Sequence, residues 1–289
     1  MADGLVLVVG GAMAATIGRA GFDTILWNRD PSKAEQVAEA LGSTVASSAA
    51  EAAAKAEVVL SSLADDAALE SVYLGPAGVV EGIGPSTVAV DASTVDPRTV
   101  NVVGAVVDEA AAGFLDCPVS GSVSSVEAGT LTIMAGGDPE LLERVRPVLD
   151  ALASRVIHVG GRGAGAATKL AVNDLVLGLN LALSEALVLA ERAGVDRATA
   201  YEVFASGAGG APFVQYKREA YEHPEDAVVA FSLDLVAKDL QLITGLGERV
   251  GAPMPQATTG LDVVRRAIAS GLGARDISAI AVYLRGNEA

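Results

Sequence analysis

Over roughly the first 160 residues, short runs of β-branched and aliphatic side chains alternate with amphipathic stretches, and this order admits few folds. The strand candidates are residues 5–9, 24–28, 57–61, 87–91, 114–117, 131–135 and 156–159. Between them lie helix-start signals: Pro31 at a first helical position, Ser48 with Glu51 as a capping box, and Asp138-Pro139 as cap and first residue. Strand, helix, strand in repetition predicts a mostly parallel sheet covered on both faces.

From Gly163 the pattern changes. Residues 164–193 hold no proline, are rich in Ala and Leu, and stop at Gly194, a natural residue just past a helix end. Such a helix is on the order of 45 Å long, too long for one compact layer, and is expected to run between domains or subunits. The remainder reads as helical, with Asp196 as a cap, a long helix at 233–250 and a last helix opened by Asp276. The expected fold is therefore α/β: an N-terminal Rossmann-type doubly wound sheet (1–161) and a C-terminal all-α domain (162–289), joined by the long helix.

With 36 acidic and 20 basic residues the net charge is −16, and no cluster of Lys or Arg forms a stripe that would neutralise a phosphate backbone. Nucleic acid is therefore excluded as an expected partner. The start lacks a basic segment followed by an apolar run, and no stretch of about 18 apolar residues follows, so a cytoplasmic chain with no membrane segment is expected. Cys117 is the only cysteine and follows an apolar run with no histidine nearby, which suits a buried structural thiol. With two histidines and one cysteine, no zinc or other metal site is expected.

The first strand runs into Gly10-Gly11-Ala12-Met13, a strand-to-helix turn that suits a pyrophosphate, because backbone N–H groups at a helix start face the anion. Gly-Gly alone is equally compatible with a plain tight turn. The second strand ends in Trp27-Asn28-Arg29, followed by Lys33. A carboxylate there would hold the ribose hydroxyl of NAD, whereas Asn28, Arg29 and Lys33 offer donors and positive charge suited to a 2′-phosphate, so NADP(H) is expected over NAD(H).

Taken in order, several segments resemble the β-hydroxyacid dehydrogenases, which include 3-hydroxyisobutyrate dehydrogenases and glyoxylate/succinic semialdehyde reductases, within the 6-phosphogluconate dehydrogenase-like superfamily. They are Met13-Ala14, Arg19-Ala20-Gly21-Phe22, Trp27-Asn28-Arg29, Leu63-Ala64-Asp65-Asp66 and Asp91-Ala92-Ser93-Thr94. They continue through Asp116-Cys117-Pro118-Val119-Ser120-Gly121-Ser122, Gly129-Thr130-Leu131, Gly163-Ala164-Gly165, Lys169, Asn173, Phe231 and Lys238-Asp239-Leu240. The glycine loop departs from the pattern: aligned on Met13, it is about five residues short of Gly-x-Gly-x-x-Gly. Either the loop is short or the natural chain carries residues absent from this sequence. The second is the expectation, and an intact mass above that of the chain distinguishes them.

The resemblance implies a hydride transfer between NADP(H) and a small β-hydroxy acid or its semialdehyde. Lys169 is then the general acid/base and Asn173, four residues on and on the same helix face, orients substrate or lysine. Ser120, Gly121 and Ser122 would bind the substrate carboxylate, with Lys238 and Asp239 beside it. Gly10, Gly11, Ala12, Met13, Asn28, Arg29, Lys33, Leu63, Ala64, Ser93, Thr94, Phe231 and Lys238 would hold the cofactor. A lysine free in water titrates near 10.4, so burial and neighbouring positive charge, for which Lys238 is a candidate, are expected to favour the neutral amine. By helix pattern alone, Lys169 reads as a snorkelling side chain. Imine reductases share the fold but carry Asp or Tyr in place of this lysine, and a non-catalytic cofactor-binding scaffold would lose it. The long apolar helix suggests a homodimer or homotetramer.

Overall fold

Aliphatic runs buried on both faces form the sheet that the alternation predicts. The computed structural model describes residues 6–9 and 11–286, and the chain divides into two compact units, residues 1–169 and 170–289. In the first unit the order is β1 (Val6–Val9), α1 (Gly11–Arg19), β2 (Thr24–Leu26), α2 (Pro31–Leu41), β3 (Thr44–Val45), α3 (Ala49–Ala53), β4 (Val58–Ser61) and α4 (Asp66–Leu74). It continues with β5 (Val88–Asp91), α5 (Pro97–Glu109), β6 (Gly113–Asp116), β7 (Val119–Ser120), α6 (Val123–Glu127), β8 (Leu131–Gly136), α7 (Pro139–Leu152), β9 (Ala153–Gly160) and the start of α8 (Ala164–Arg192).

The strands lie in the order β3-β2-β1-β4-β5-β6-β8-β7, with β9 also on β8. From β3 to β6 all pairs are parallel; β8 runs antiparallel to β6 and β7 and parallel to β9. Side chains alternate between two cores, as the period of two in a strand requires. Leu26, Leu60, Val88, Val90 and Leu115 pack with Met13 and Ile17 of α1, Ala38 of α2 and Leu142 and Leu149 of α7. Ile25, Val59, Ala89 and Phe114 pack on the other face with Ala52 of α3, Leu69 and Val72 of α4 and Val103 and Val107 of α5. Each such fully buried Val, Leu, Ile, Phe or Met side chain contributes about 1.5–3 kcal/mol over its exposed state. Cys117 is 1% exposed, and burial pushes its thiol well above the usual range.

The second unit holds the rest of α8, then α9 (Arg197–Ser206), α10 (Pro212–Tyr216), α11 (Arg218–Glu222), α12 (Leu233–Val250), α13 (Pro255–Ala267) and α14 (Ala279–Arg285). Leu170 and Leu177 of α8 pack with Val236, Leu240 and Ile243 of α12 and Leu261 of α13, while Leu183 and Leu187 pack with Tyr201, Phe213 and Tyr221. By length and composition alone α8 is apolar enough to cross a bilayer, yet these four leucines are core residues.

Two sequence expectations need adjustment. Ser48 caps α3 through the Glu51 N–H (3.0 Å), but Glu51 returns its carboxylate to Ser47 N (2.9 Å) rather than to the cap itself. Asp276 does not open the last helix, which starts at Ala279; it is 1% exposed and paired with Lys217. Leu5, expected in the first strand, lies outside the described residues.

Candidate active site

Successive strands β1, β2 and β3 extend one way from β1, and β4, β5 and β6 the other, so the sheet order switches between β1 and β4. In open α/β sheets the crevice at such a switch, beyond the carboxyl ends of the strands, is where ligands bind. The expected residues Asn28 and Arg29 follow β2, Leu63 and Ala64 follow β4, Ser93 and Thr94 follow β5, and Ser120 to Ser122 follow β6 at and beyond β7. The first unit thus places all of these at strand ends.

A nicotinamide dinucleotide fits this edge in part. Gly11 opens α1 one residue after β1 ends, which puts a helix start at the switch point. Gly10, the one connecting residue, lies outside the described residues. After β2, Asn28 Oδ1 accepts the Asp30 N–H (2.9 Å) while Asp30 caps α2, leaving Arg29 and Lys33 exposed. Met13 is buried in the core, so it supports the helix from below.

At the middle strands a buried network sets the edge. Asp91 Oδ1, at the end of β5, accepts from Ser61 Oγ (2.7 Å) and Ser93 Oγ (2.6 Å), and Ser93 Oγ in turn accepts the Leu63 N–H (2.8 Å). The Ser93 hydroxyl is therefore committed to joining the loops after β4 and β5. Asp91 Oδ2 is buried without a hydrogen-bond partner among the described residues. Burial raises the Asp91 carboxyl to about 6, against the lowering effect of the two hydroxyls.

One strand over, Asp116 Oδ1 accepts the Gly163 N–H (2.9 Å) and Oδ2 the Ala166 N–H (2.8 Å), which joins the end of β6 to the first turn of α8. Lys169 stands half-buried on the next turn of that helix. Beyond Asp116, Gly121 adopts φ +148°, and a Cβ there would lie 2.7 Å from Leu131 Cδ2, so glycine is required. Ser122 caps α6 in a reciprocal capping box with Ser125, which occupies part of its hydrogen-bonding capacity.

In the second unit Asn173, one turn along α8 from Lys169, is 7% exposed and donates Nδ2 to Asp239 Oδ2 at 2.5 Å. A carboxylate only accepts, so this contact fixes which way the amide points. Lys238 Nζ lies 2.9 Å from Asp239 Oδ1. Asp239 thus engages both an α8 side chain and an α12 cation. Phe231 precedes α12 in a segment held by Asp276, which accepts the Ala230 and Phe231 N–H groups and pairs with Lys217 Nζ at 2.8 Å.

Asp91, Ser61 and Asp116 were not singled out as site residues from sequence. Their signal is a carboxylate or hydroxyl closing an otherwise apolar strand, a position where burial forces it to find backbone or hydroxyl partners.

Residues 6–160 match the NAD binding domain of 6-phosphogluconate dehydrogenase, and residues 163–284 match the NAD-binding domain of NADP-dependent 3-hydroxyisobutyrate dehydrogenase. Among curated relatives, 2-(hydroxymethyl)glutarate dehydrogenase of Eubacterium barkeri is 36% identical over 79% of this chain and 76% of its own length. Glyoxylate/succinic semialdehyde reductase 1 of Arabidopsis thaliana is 33% identical over 94% of each chain. The structure of Mycobacterium tuberculosis 3-hydroxyisobutyrate dehydrogenase with L-serine superposes with a TM-score of 0.86 at 30% identity, covering 98% of this chain and 99% of the other. An imine reductase from Pseudomonas sp., at 21% identity and a TM-score of 0.64, shares the fold alone. Matches along both halves, at 33% identity to a relative covered nearly end to end, show that the chain belongs to the β-hydroxyacid dehydrogenase family of oxidoreductases and carries NAD(P)-binding domains.

Proposed function

We propose that this protein transfers a hydride between NADP(H) and a small β-hydroxy acid or its semialdehyde, with Lys169 as general acid/base. The observation that carries the reading is α8, which runs unbroken through Lys169 and Asn173 and so sets them on one face, one turn apart, with the Asn173 amide fixed by Asp239. The bound nicotinamide supplies or accepts the hydride. In reduction the Lys169 ammonium gives its proton to the carbonyl oxygen as that oxygen gains charge; in oxidation the neutral amine takes the hydroxyl proton. Asn173 orients the reacting oxygen or the amine, and Ser120, Gly121 and Ser122 hold the substrate carboxylate with N–H and hydroxyl donors. Lys238 and Asp239 complete the substrate side.

The first domain, 1–161, holds the cofactor: Gly10, Gly11, Ala12 and Met13 at the pyrophosphate, Asn28, Arg29 and Lys33 at the 2′-phosphate, and Leu63, Ala64, Ser93 and Thr94 along its length. The exposed cations after β2, with no carboxylate at the strand tip, support NADP(H) over NAD(H). The second domain, 162–289, contributes Phe231 and Lys238, the substrate groups and the surface for a homodimer or homotetramer. The protein works in the cytoplasm on a small molecule, apart from membrane and nucleic acid.

A panel of glyoxylate, succinic semialdehyde and a cyclic imine with NADPH or NADH, and 3-hydroxyisobutyrate with the oxidised cofactors, tests this. Turnover of a semialdehyde or hydroxy acid, with higher kcat/KM for the phosphorylated cofactor, is expected. Turnover of the imine alone identifies an imine reductase instead.

A further inference from the structure

Among the described residues eight helices, α2, α3, α4, α5, α6, α7, α9 and α12, carry their own Asp or Ser cap at the preceding residue. The helix that bears Lys169 does not. Gly163 precedes α8, the first turn of α8 has no acidic residue, and the capping carboxylate comes from Asp116, far earlier in the chain at the end of β6. Asp116 is 1% exposed, and both of its oxygens are used on that turn.

Three backbone segments meet around this carboxylate without room for a methyl group. A Cβ on Gly165 would lie 2.4 Å from Asp116 O and 2.6 Å from Met134 O; one on Gly136 would lie 2.6 Å from Asp116 Oδ1 and 2.7 Å from Gly165 N. The first turn of α8 is therefore fixed in both translation and rotation against β6 and β8. Lys169 follows Ala166 by three residues, about 4.5 Å along the axis, so whatever displaces that turn displaces the amine. The segment that leaves Asp116 also leads directly to Ser120, Gly121 and Ser122.

We infer that Asp116 is a positioning residue, whose carboxylate sets where the Lys169 amine stands relative to the Ser120–Ser122 turn. The inference rests on the proposed role of Lys169. In Asp116→Asn one of the two oxygens becomes an NH2 group that faces a backbone N–H, donor against donor, and the turn must shift. Gly165→Ala shifts the same turn without altering the charge.

Full-length Asp116→Asn, Gly165→Ala and Lys169→Met are compared with the wild type in reduction of succinic semialdehyde by NADPH. NADPH affinity is read from its fluorescence, and the primary isotope effect from cofactor deuterated at the transferred position. The expectation for Asp116→Asn and Gly165→Ala is a kcat lowered about tenfold or more, with NADPH affinity within about twofold of wild type and a larger isotope effect, since misplacement slows the chemical step. A cap of structural importance alone lowers the thermal midpoint and leaves kcat and the isotope effect of the folded protein unchanged, and that result overturns the inference. Loss of NADPH affinity in step with kcat overturns it as well. Full turnover in Lys169→Met overturns both this inference and the reading beneath it, whereas wild-type turnover in Asp116→Asn beside an inactive Lys169→Met overturns the inference alone. If Asp116→Asn does not fold, Gly165→Ala decides by the same readings.

Discussion

Asp91, 1% exposed, has two hydroxyl donors on one carboxylate oxygen and, among the described residues, no partner on the other. Its carboxyl is raised to about 6 by burial, with the neighbouring Asp116 adding to the rise. An unfolded aspartate titrates near 3.9, so between about pH 4 and 6 the native state holds a proton that the unfolded state has released. Stability at this site is therefore highest below that window and falls as pH rises through it, by an amount on the order of 3 kcal/mol. Asp91→Asn keeps the acceptor for Ser61 and Ser93 and puts an NH2 where the unpartnered oxygen sits. Thermal unfolding of variant and wild type should nearly coincide at pH 4, and the variant should gain a growing advantage up to pH 7. A difference that stays constant with pH would show that Asp91 does not titrate there.

At the scale of elements, α8 has two apolar sides. Leu170, Leu177, Leu183 and Leu187 face the core of the second unit, yet Leu175 and Leu189 are 67% and 72% exposed. With Leu179, Ala182 and Ala186 between them, these residues follow a four-three-four-three spacing, the seam of a helix that packs along another helix. Leu179, Ala182 and Ala186 also border an apolar groove with Val203 and Phe204 of α9. Under the proposed homodimer or homotetramer this face is covered by a second copy, so light scattering should give at least twice the mass of the chain. Leu175→Glu combined with Leu189→Glu should shift it towards one chain mass, and a monomeric wild type would contradict the assignment. Much at this scale was legible in the sequence. The helix at Leu233–Val250, Pro31 at the start of α2 and the stop at Gly194, φ +88°, come from local propensity and capping. β3 and β7, two residues each, were not legible, because strands so short carry no periodicity and exist only through pairing with β2 and β8. Asp276 reads locally as a helix cap, and only its tertiary pairing with Lys217 overrides that pattern.

For the whole molecule, the first unit is a doubly wound sheet and the second a set of helices in which Asp239 engages Asn173 and Lys238; the proposal gives the carboxyl edge of the sheet to the dinucleotide. The residues quoted for the family resemblance made the edge of the sheet legible, since strand ends follow directly from strand positions. The supports behind that edge were hidden, because Asp91 and Asp116 bind partners 30 and 50 residues away, across connections whose course the sequence alone does not reveal. The proposed role of Lys169 is to move the proton while hydride passes to or from the cofactor. Its most direct test is NADPH-dependent reduction of succinic semialdehyde by Lys169→Met, with NADPH affinity measured on the same sample. With Lys169 in that role kcat falls about 10²–10⁴-fold while affinity for NADPH is retained; turnover close to that of the wild type would rule the role out.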